Sequence, residues 1–294
     1  MVDRSGAARS VAVLLTCVAL GACGERPLEP RDPTPGVAHF KIATFNVEFR
    51  SYDDPATVEA VGETDADVIG LQEVSAGWEP VLRERYAAEY PHMLFRPGST
   101  SGLAVLSRLP LIDGEFHAAL NDWHPAWTVL AQTPAGWINL LNVHLRALSS
   151  GQGGIVTDYS NWGSDHRLEI RTFYQASNEG PHPEDLPSIV LGDFNEGPDG
   201  EAISFLEAQG FRNALPLYRP GQYTWRYKSL GNQFTEALDH ILFDESMAPL
   251  NSFVLTRGHS DHLPVVAHLE ANGEWPEFDP SSIEEQPPID GPTL

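Results

Sequence analysis

The sequence predicts an α/β fold in which mixed or antiparallel sheets are covered by helices. Short apolar segments rich in β-branched residues recur throughout residues 38–270, and they outnumber segments with helical periodicity. Two predicted strands, 127–132 and 137–145, follow each other with no helix between them, which indicates an antiparallel pair. A purely parallel repeat of strand and helix therefore fits poorly.

One domain is predicted, because residues 38–270 contain no repeat and no linker-like break. The 294-residue chain is 41% apolar, which is enough material for a large hydrophobic core. The predicted strands are 39–47, 67–74, 102–107, 127–132, 137–145, 188–195, 223–227, 237–243 and 263–270. The predicted helices are 55–61, 78–86, 166–177 and 200–209.

The first 23 residues have the composition of a secretion signal. Arg4 and Arg9 supply a positive start, and residues 11–22 are apolar but shorter than the about 20 residues that a membrane-spanning helix needs. The closing Leu20-Gly21-Ala22-Cys23 resembles the lipobox of bacterial lipoproteins. We predict a lipoprotein signal peptide at 1–23, with lipidated Cys23 anchoring an exported protein to the cell envelope, at the outer membrane facing the periplasm or at the cell surface. An ordinary signal peptide is the alternative.

Both flanks of the predicted domain have the composition of flexible segments. Residues 24–37 are rich in proline and charge, and we predict an extended tether there. Residues 271–294 are acidic, rich in proline and free of Lys and Arg, which predicts a disordered tail. Trp275 and Phe278 are the tail residues that we expect to dock onto the domain.

Cysteine content and charge exclude several functions. The two cysteines, Cys17 and Cys23, precede the domain, which therefore has no disulfide, no thiolate metal site and no cysteine nucleophile. A net charge of −23 argues against tight non-specific binding of duplex DNA, because such binding uses Lys and Arg to neutralise phosphates. We expect a monomer.

Polar residues stand at the ends of many predicted strands. Asp193 and Asn195 follow the apolar segment Ile189-Val190-Leu191. Residues two apart on an extended chain point the same way, so we expect both side chains to converge while Phe194 faces the core. An unpaired charge at the end of a buried strand is costly, so packing does not explain Asp193. Other polar residues also stand at or beside the ends of predicted strands. They are Asn46, Glu73, Asn142, His144, Asp239, Asp261 and His262.

Oxygen-rich residues of this kind suit a bound Mg²⁺ or Mn²⁺ acting on a phosphate ester. Mg²⁺ is typically held by one or two carboxylates together with waters and substrate oxygens. Glu73 is the best single ligand, and Asn46 is expected to fix the metal, a water or a phosphate oxygen. Asp261 points away from its neighbour His262 and is expected to contact the metal or its waters.

The remaining residues suit attack of water on phosphorus. Asp193 is the candidate to orient and deprotonate that water, with Asn195 as an uncharged partner. His262, oriented by Asp239, is the candidate to donate to the pentacoordinate phosphorus or to place positive charge beside it. Trp225 is expected to pack in the core, with stacking on a base as the alternative.

The ordered set of motifs resembles the endonuclease/exonuclease/phosphatase superfamily, which includes relatives of DNase I, exonuclease III, inositol polyphosphate 5-phosphatases and neutral sphingomyelinases. Each motif is short, but the set spans residues 38–270 in the family's order. The resemblance implies a four-layer α/β sandwich with two central sheets, divalent-metal dependence and in-line attack of water. The motifs are Thr44-Phe45-Asn46, Gln72-Glu73, residues 102–108, Asn142-Val143-His144, residues 192–195, Leu238-Asp239-His240 and Ser260-Asp261-His262.

The resemblance also implies a role for each position. Asn46 and Glu73 match the metal-side pair, and Asp193 and Asn195 match the pair that orients water and phosphate. His144 matches a position held by histidine in the DNase I and sphingomyelinase branches and by tyrosine in exonuclease III relatives. Asp239 matches the partner of the final histidine, and Asp261 and His262 match the terminal pair.

The predicted function is that of a metal-dependent phosphodiesterase acting on nucleic acid fragments, lipids or small diesters. A phosphomonoesterase of inositol, sugar or nucleotide phosphates is the first alternative. A non-catalytic surface lipoprotein that keeps the sandwich as a binding module is the second. The connecting segments 149–164 and 219–234 are expected to choose the substrate.

Overall fold

The computed structural model describes residues 26–120, 124–147, 155–180, 182–183, 185–229 and 231–283, without the side chains of 155–162 and 229. Two six-stranded sheets stack on each other, and helices cover the outer face of each sheet. The expected four-layer α/β sandwich is therefore present. The predicted signal peptide and Cys23 lie outside the described residues.

The first sheet is mixed. It contains β1 (His39–Asn46), β2 (Val68–Gln72), β3 (His92–Arg96), β4 (Leu103–Ser107), β13 (Met247–Val254) and β14 (Val265–Ala271). Its strand order is β13-β14-β1-β2-β4-β3. β1 and β2 are parallel, and the other neighbours are antiparallel.

The second sheet is also mixed. It contains β5 (Leu111–His117), β6 (Ala126–Thr133), β7 (Gly136–His144), β8 (Ser188–Asp193), β9 (Arg212–Asn213) and β12 (Asp239–Phe243). The order is β5-β6-β7-β8-β12-β9, with β7 and β8 parallel. A separate two-stranded ribbon is formed by β10 (Trp225–Ser229) and β11 (Asn232–Glu236).

Five α-helices lie outside the sheets in the described part of the chain. They are α1 (Pro55–Glu63), α2 (Trp78–Tyr86), α3 (Ile155–Asn178), α4 (Glu201–Glu207) and α5 (Ala214–Tyr218). α1 and α2 pack on the first sheet, and α3 and α4 pack on the second. α1 begins where Asp54 accepts a hydrogen bond from the backbone N of Thr57 at 2.9 Å, with Pro55 at its first position.

Every central strand is buried on both faces because each sheet is covered on both sides. On β1, Phe40 and Ile42 enter the core between the sheets, whereas Ala43 and Phe45 pack against helices. On β8, Ile189 and Leu191 face the other sheet, whereas Val190 faces α3 and α4. This burial explains why the central strands have nearly continuous apolar sequences.

All the predicted strands and helices are present, but several strands were not predicted. β3, β5, β9 and β13 lie at the four edges of the two sheets. Edge strands cover less apolar area, and every residue of β5 except His117 is exposed or half-buried. β11 is exposed throughout. α3 begins earlier than the predicted helix, at Ile155.

The described part of the predicted tether lies against the domain. The backbone N of Leu28 donates to the carbonyl of Leu217 at 2.7 Å. Arg31 forms an ion pair with Glu270 at 2.7 Å, and the backbone N of Thr34 donates to the same carboxylate. Residues 28–34 therefore do not extend away from the domain.

The first part of the predicted tail also contacts the domain. The indole Nε1 of Trp275 donates to the carbonyl of Ser246 at 2.9 Å, and its ring packs against Phe40. Phe278 packs edge-on against Trp137. Both expected docking residues therefore dock, while residues 284–294 lie outside the described part. No helix of the described residues is long and apolar enough to cross a membrane.

Replacing Gly192 by alanine is expected to destabilise the protein by at least about 3 kcal/mol. Gly192 has φ +145°, and a Cβ there would collide with the carbonyl of Val143 on the neighbouring strand. Thermal or denaturant unfolding measures the effect. Gly210→Ala is the matched control, because Gly210 also has positive φ but has open space around it. Equal losses of stability in both variants would show that the positive φ, and not the collision with Val143, causes the loss.

Candidate active site

The inner faces of both sheets become polar at one end of the sandwich. Alternation along the strands places Asn46, His144, Asp193 and Asp239 on the faces that carry the inter-sheet core. Each is the first or last residue of its strand. In addition, His144 pairs with Asp193, and Asp193 pairs with Asp239, across neighbouring strands. Residues far apart in sequence therefore meet at one edge.

The Asp193 carboxylate is the centre of this cluster and is 1% exposed. Its Oδ2 accepts a hydrogen bond from Asn46 Nδ2 at 3.0 Å. The Nε2 atoms of His144 and His262 each lie 3.5 Å from the same oxygen. Asp193 Oδ1 accepts from the backbone N of Asn195 at 2.9 Å. Both carboxylate oxygens are therefore held in place.

His262 is held by the buried carboxylate of Asp239. His262 Nδ1 donates to Asp239 Oδ2 at 2.9 Å, and the hydroxyl of Thr224 donates to the same oxygen at 2.6 Å. Burial alone would lower the pKa of His262, but the charges of Asp239 and Asp193 outweigh it and raise that pKa to about 10. The expected orientation of His262 by Asp239 is present, and His262 carries a positive charge.

Glu73 lies beside Asp193 and shares its partner. Asn46 Nδ2 donates to Glu73 Oε1 at 3.2 Å, and the backbone N of Phe49 donates to Glu73 Oε2 at 3.3 Å. Strand alternation alone would turn Glu73 to the outer face, but it follows the end of β2 with φ +59°. Burial raises the pKa of Glu73 to about 7, against the opposing effects of the Asn46 hydrogen bond and the His262 charge.

This cluster fits a divalent cation. Among the described residues, no Lys or Arg forms an ion pair with Glu73, and Asp239 Oδ1 is a buried oxygen without a hydrogen-bond partner. Ligand atoms of Asp193, Asp239 and His262 also lie within 4.8 Å of one another. His262 Nδ1 and Asp239 Oδ2 are already bonded to each other, however, so we favour Glu73 with Asn46 as the metal side.

Asp261 is fixed beside the cluster by the ribbon. Trp225 Nε1 donates to Asp261 Oδ2 at 3.1 Å, and the backbone N of Arg226 donates to its carbonyl at 2.9 Å. Trp225 also pairs with His262 through an isolated bridge. The expected core position of Trp225 was wrong, because its ring is half-buried and stacks on the exposed Tyr227. Metal contact by Asp261 stays a prediction.

Asn195 contacts Asp193 through its backbone N, and not through a side chain placed by strand alternation as expected. β8 ends at Asp193, and Asn195 has φ +51°, so the rule for side chains two apart on a strand does not apply. Its Nδ2 donates to the carbonyl of Leu145 at 2.9 Å, which ties the loop after β8 to the loop after β7. Phe194 is fully buried, as expected.

His144 is buried with a defined ring orientation. Its Nδ1 donates to the carbonyl of Thr100 at 3.0 Å, so its Nε2 is the atom nearest Asp193. Burial and the charge of His262 lower the pKa of His144 to about 3, so it is neutral. Its ring stacks on His124. No motif marked His124 in the sequence.

A profile of the endonuclease/exonuclease/phosphatase family matches residues 43–262. The chain belongs to this family. The matched range contains every predicted site residue, from Asn46 to His262. The motif-based resemblance is therefore confirmed, and nuclease and phosphatase members of the family support a phosphoesterase activity.

Solved structures share the fold of this endonuclease/exonuclease/phosphatase chain at low identity. The endonuclease/exonuclease/phosphatase from Beutenbergia cavernae DSM 12333 is 18% identical, with a TM-score of 0.61 over 80% of this chain and 72% of its own. The 3'-5' exonuclease (NExo) from Neisseria meningitidis is 20% identical, with a TM-score of 0.56 over 80% of this chain and 100% of its own. TDP2 of D. rerio, solved with single strand DNA product, is 17% identical, with a TM-score of 0.59 over 79% and 98%. No curated protein sequence matches the chain.

Proposed function

We propose that this family member is a Mg²⁺- or Mn²⁺-dependent phosphoesterase that hydrolyses phosphodiesters by in-line attack of water. The observation that carries the proposal is the position of Asp193. Its carboxylate lies between Asn46 and two imidazoles, beside the half-buried carboxylate of Glu73. A base, a cationic hydrogen-bond donor and oxygen ligands within one buried cluster suit phosphoryl transfer to water.

Asp193 is the proposed base. It takes the proton of the attacking water while Asn46 and Asn195 hold its two oxygens in place. His262 Nε2 lies on the same side as Asp193, only 3.5 Å from its Oδ2. In an in-line reaction the leaving group departs on the opposite side, so His262 stabilises a non-bridging phosphoryl oxygen with its charge. When bound at Glu73, the metal supplies Lewis-acid polarisation of a phosphoryl oxygen.

A substrate panel tests the proposed function. Phosphodiesters (bis(p-nitrophenyl) phosphate, short oligonucleotides and choline phospholipids) and phosphomonoesters (nucleotide, sugar and inositol phosphates) are incubated with the protein, with and without Mn²⁺. We expect Mn²⁺-dependent release from diesters. Turnover of monoesters alone would contradict the proposed phosphodiesterase and show that the protein is a phosphomonoesterase. Metal binding without turnover across the panel would support a non-catalytic binding module.

The ribbon beside the site presents aromatic rings to the substrate. Tyr227 and Phe234 are paired across β10 and β11, and their side chains are 52% and 53% exposed. Tyr227 also stacks on Trp225, whose indole contacts Asp261. Most of the ribbon lies in the segment 219–234 that is expected to choose the substrate, and its aromatic face starts at the site. We propose that it binds a ring of the substrate.

Replacing Tyr227 and Phe234 together by serine is expected to raise KM about tenfold for a diester with a second ring, because ring stacking contributes about 1–3 kcal/mol. Steady-state kinetics compare bis(p-nitrophenyl) phosphate with methyl p-nitrophenyl phosphate, whose KM should change little. Gln233→Ser on the opposite face of the ribbon is the matched control. An equal rise in KM for both esters would contradict the proposed binding of a substrate ring by the ribbon.

Export and lipid anchoring are proposed from residues 1–23. The positive start, the short apolar segment and Cys23 support a lipoprotein signal. Cys23→Ser is expected to shift the protein from the membrane fraction to the soluble fraction of the cell envelope. Unchanged fractionation of this variant would contradict the lipid anchor.

A further inference from the structure

His124 lies in the active site although it belongs to none of the motifs. Its ring stacks on that of His144 with centroids 4.0 Å apart and planes 4° apart. Its Nδ1 is buried and has no hydrogen-bond partner in the described structure. An unpartnered buried nitrogen costs about 1–3 kcal/mol, so an apolar side chain would pack better if packing were its only role.

The residues that follow His124 place it beside His144. Pro125 comes next in the chain, and a proline favours extended backbone in the residue before it. β6 then begins at Ala126, which pairs with Val143, the residue before His144. The position of the His124 ring is therefore set by the same strand pair that carries His144.

The one hydrogen bond of the His144 ring does not by itself fix the tilt of the ring. It sets the direction of Nδ1, toward the carbonyl of Thr100, but a bond at the ring edge gives little resistance to rotation out of the ring plane. A flat neighbour at stacking distance does prevent it. Burial and the neighbouring His144 lower the pKa of His124 to about 3, so two neutral rings stack without charge repulsion.

We infer that His124 is a positioning residue that holds the ring of His144 in place, so that the unprotonated His144 Nε2 stays 3.5 Å from Asp193 Oδ2, where both atoms accept hydrogen bonds from the attacking water. This inference rests on the proposed phosphoesterase function. The flat shape of His124 carries the effect. A flat side chain should therefore replace His124, whereas a branched apolar side chain of similar size should not.

His124→Phe and His124→Leu form the deciding pair. We expect His124→Phe to keep kcat for bis(p-nitrophenyl) phosphate within about twofold of the natural protein, and His124→Leu to lower it about tenfold with little change in KM. Melting temperatures show that both variants are folded. Exposed His39→Ala is the control and should change nothing. Equal kcat values for the Phe and Leu variants would overturn the inference.

A double-mutant cycle with His144→Ala tests whether His124 acts through His144. The loss caused by His124→Leu is expected to disappear in the His144→Ala background. A tenfold loss that persists there would overturn the inference.

Nitrogen NMR of histidine-labelled protein gives a readout that does not need turnover. His144 should be a single Nδ1–H tautomer in the natural protein and in His124→Phe, and should show exchange broadening in His124→Leu. An unchanged His144 signal in His124→Leu would overturn the inference. If the natural protein hydrolyses no ester but the NMR result holds, the proposed function fails and the positioning of His144 stands.

Discussion

His262→Ala is expected to lower kcat for phosphodiester hydrolysis by about 10³-fold. His262 is the positively charged group nearest Asp193 in the described site, with Nε2 3.5 Å from Asp193 Oδ2. Because the site is buried, that charge is weakly screened and stabilises the negative charge on the non-bridging phosphoryl oxygens. Steady-state kinetics with bis(p-nitrophenyl) phosphate and saturating Mn²⁺ measure the loss.

The alanine variant also leaves the buried Asp239 without its histidine partner, which costs about 3–5 kcal/mol in the free energy of unfolding. His262→Asn separates the two effects, because an amide still donates to Asp239 without carrying charge. We expect His262→Asn to fold but, like His262→Ala, to lack activity. His259→Ala is the matched control, since His259 is three residues away and 73% exposed. Full activity in His262→Asn would contradict the charge-based role.

Chelation of divalent cations is expected to abolish turnover, and Mg²⁺ or Mn²⁺ is expected to restore it. Glu73→Ala should raise the metal concentration needed for half-maximal activity by about 10²-fold, because the variant removes the carboxylate that we place on the metal. Activity is measured across a metal titration. Glu84→Gln, an exposed carboxylate on α2, is the control. Activity that survives exhaustive chelation would contradict the metal-dependent proposal.

The pH dependence of metal activation follows from Glu73. Its pKa rises from 4.5 to about 7 because of burial, so below pH 7 a proton competes with the metal for this carboxylate. The metal concentration for half-maximal activity should therefore rise as pH falls through 7. In metal-free protein, the folded state binds this proton more tightly than the unfolded state does. The stabilisation that this bound proton gives to the folded state is thus complete below about pH 4.5 and is lost as pH rises through 7.

Thermal unfolding tests the predicted loss of stability with rising pH. Without metal, the melting temperature should fall between pH 4.5 and 7, and Mn²⁺ should restore it at pH 8 more than at pH 5.5. Glu73→Ala should show a weaker pH dependence over this range. The same pH dependence in Glu73→Ala and the natural protein would assign the effect to another group.

Sequence patterns predicted the central strands well because those strands are buried on both faces. β1, β2, β4, β7, β8, β12 and β14 have long apolar segments, and all of them are interior strands of the two sheets. The four edge strands were missed since they have one neighbour and more exposed side chains. β13 also contains Pro249 at a shift in register, which hides its strand pattern.

Local rules failed where the chain leaves a strand. Glu73 and Asn195 both have positive φ, and neither side chain points where simple alternation would place it. Glu73 nevertheless lies at the site, as predicted, because Asn46 and the backbone of Phe49 hold its carboxylate. Such turns depend on contacts between loops that are distant in sequence.

The sequence by itself determined the family, the order of the motifs and most of the candidate site. Carboxylates, amides and histidines at the ends of apolar strands are informative because unpaired polar groups are costly there. Only the tertiary structure decided which of these residues contact one another. It also brought His124 and the aromatic ribbon to the site. His124 and Tyr227 belong to no short motif, and their positions depend on strand pairing and on ring contacts between segments far apart in the chain.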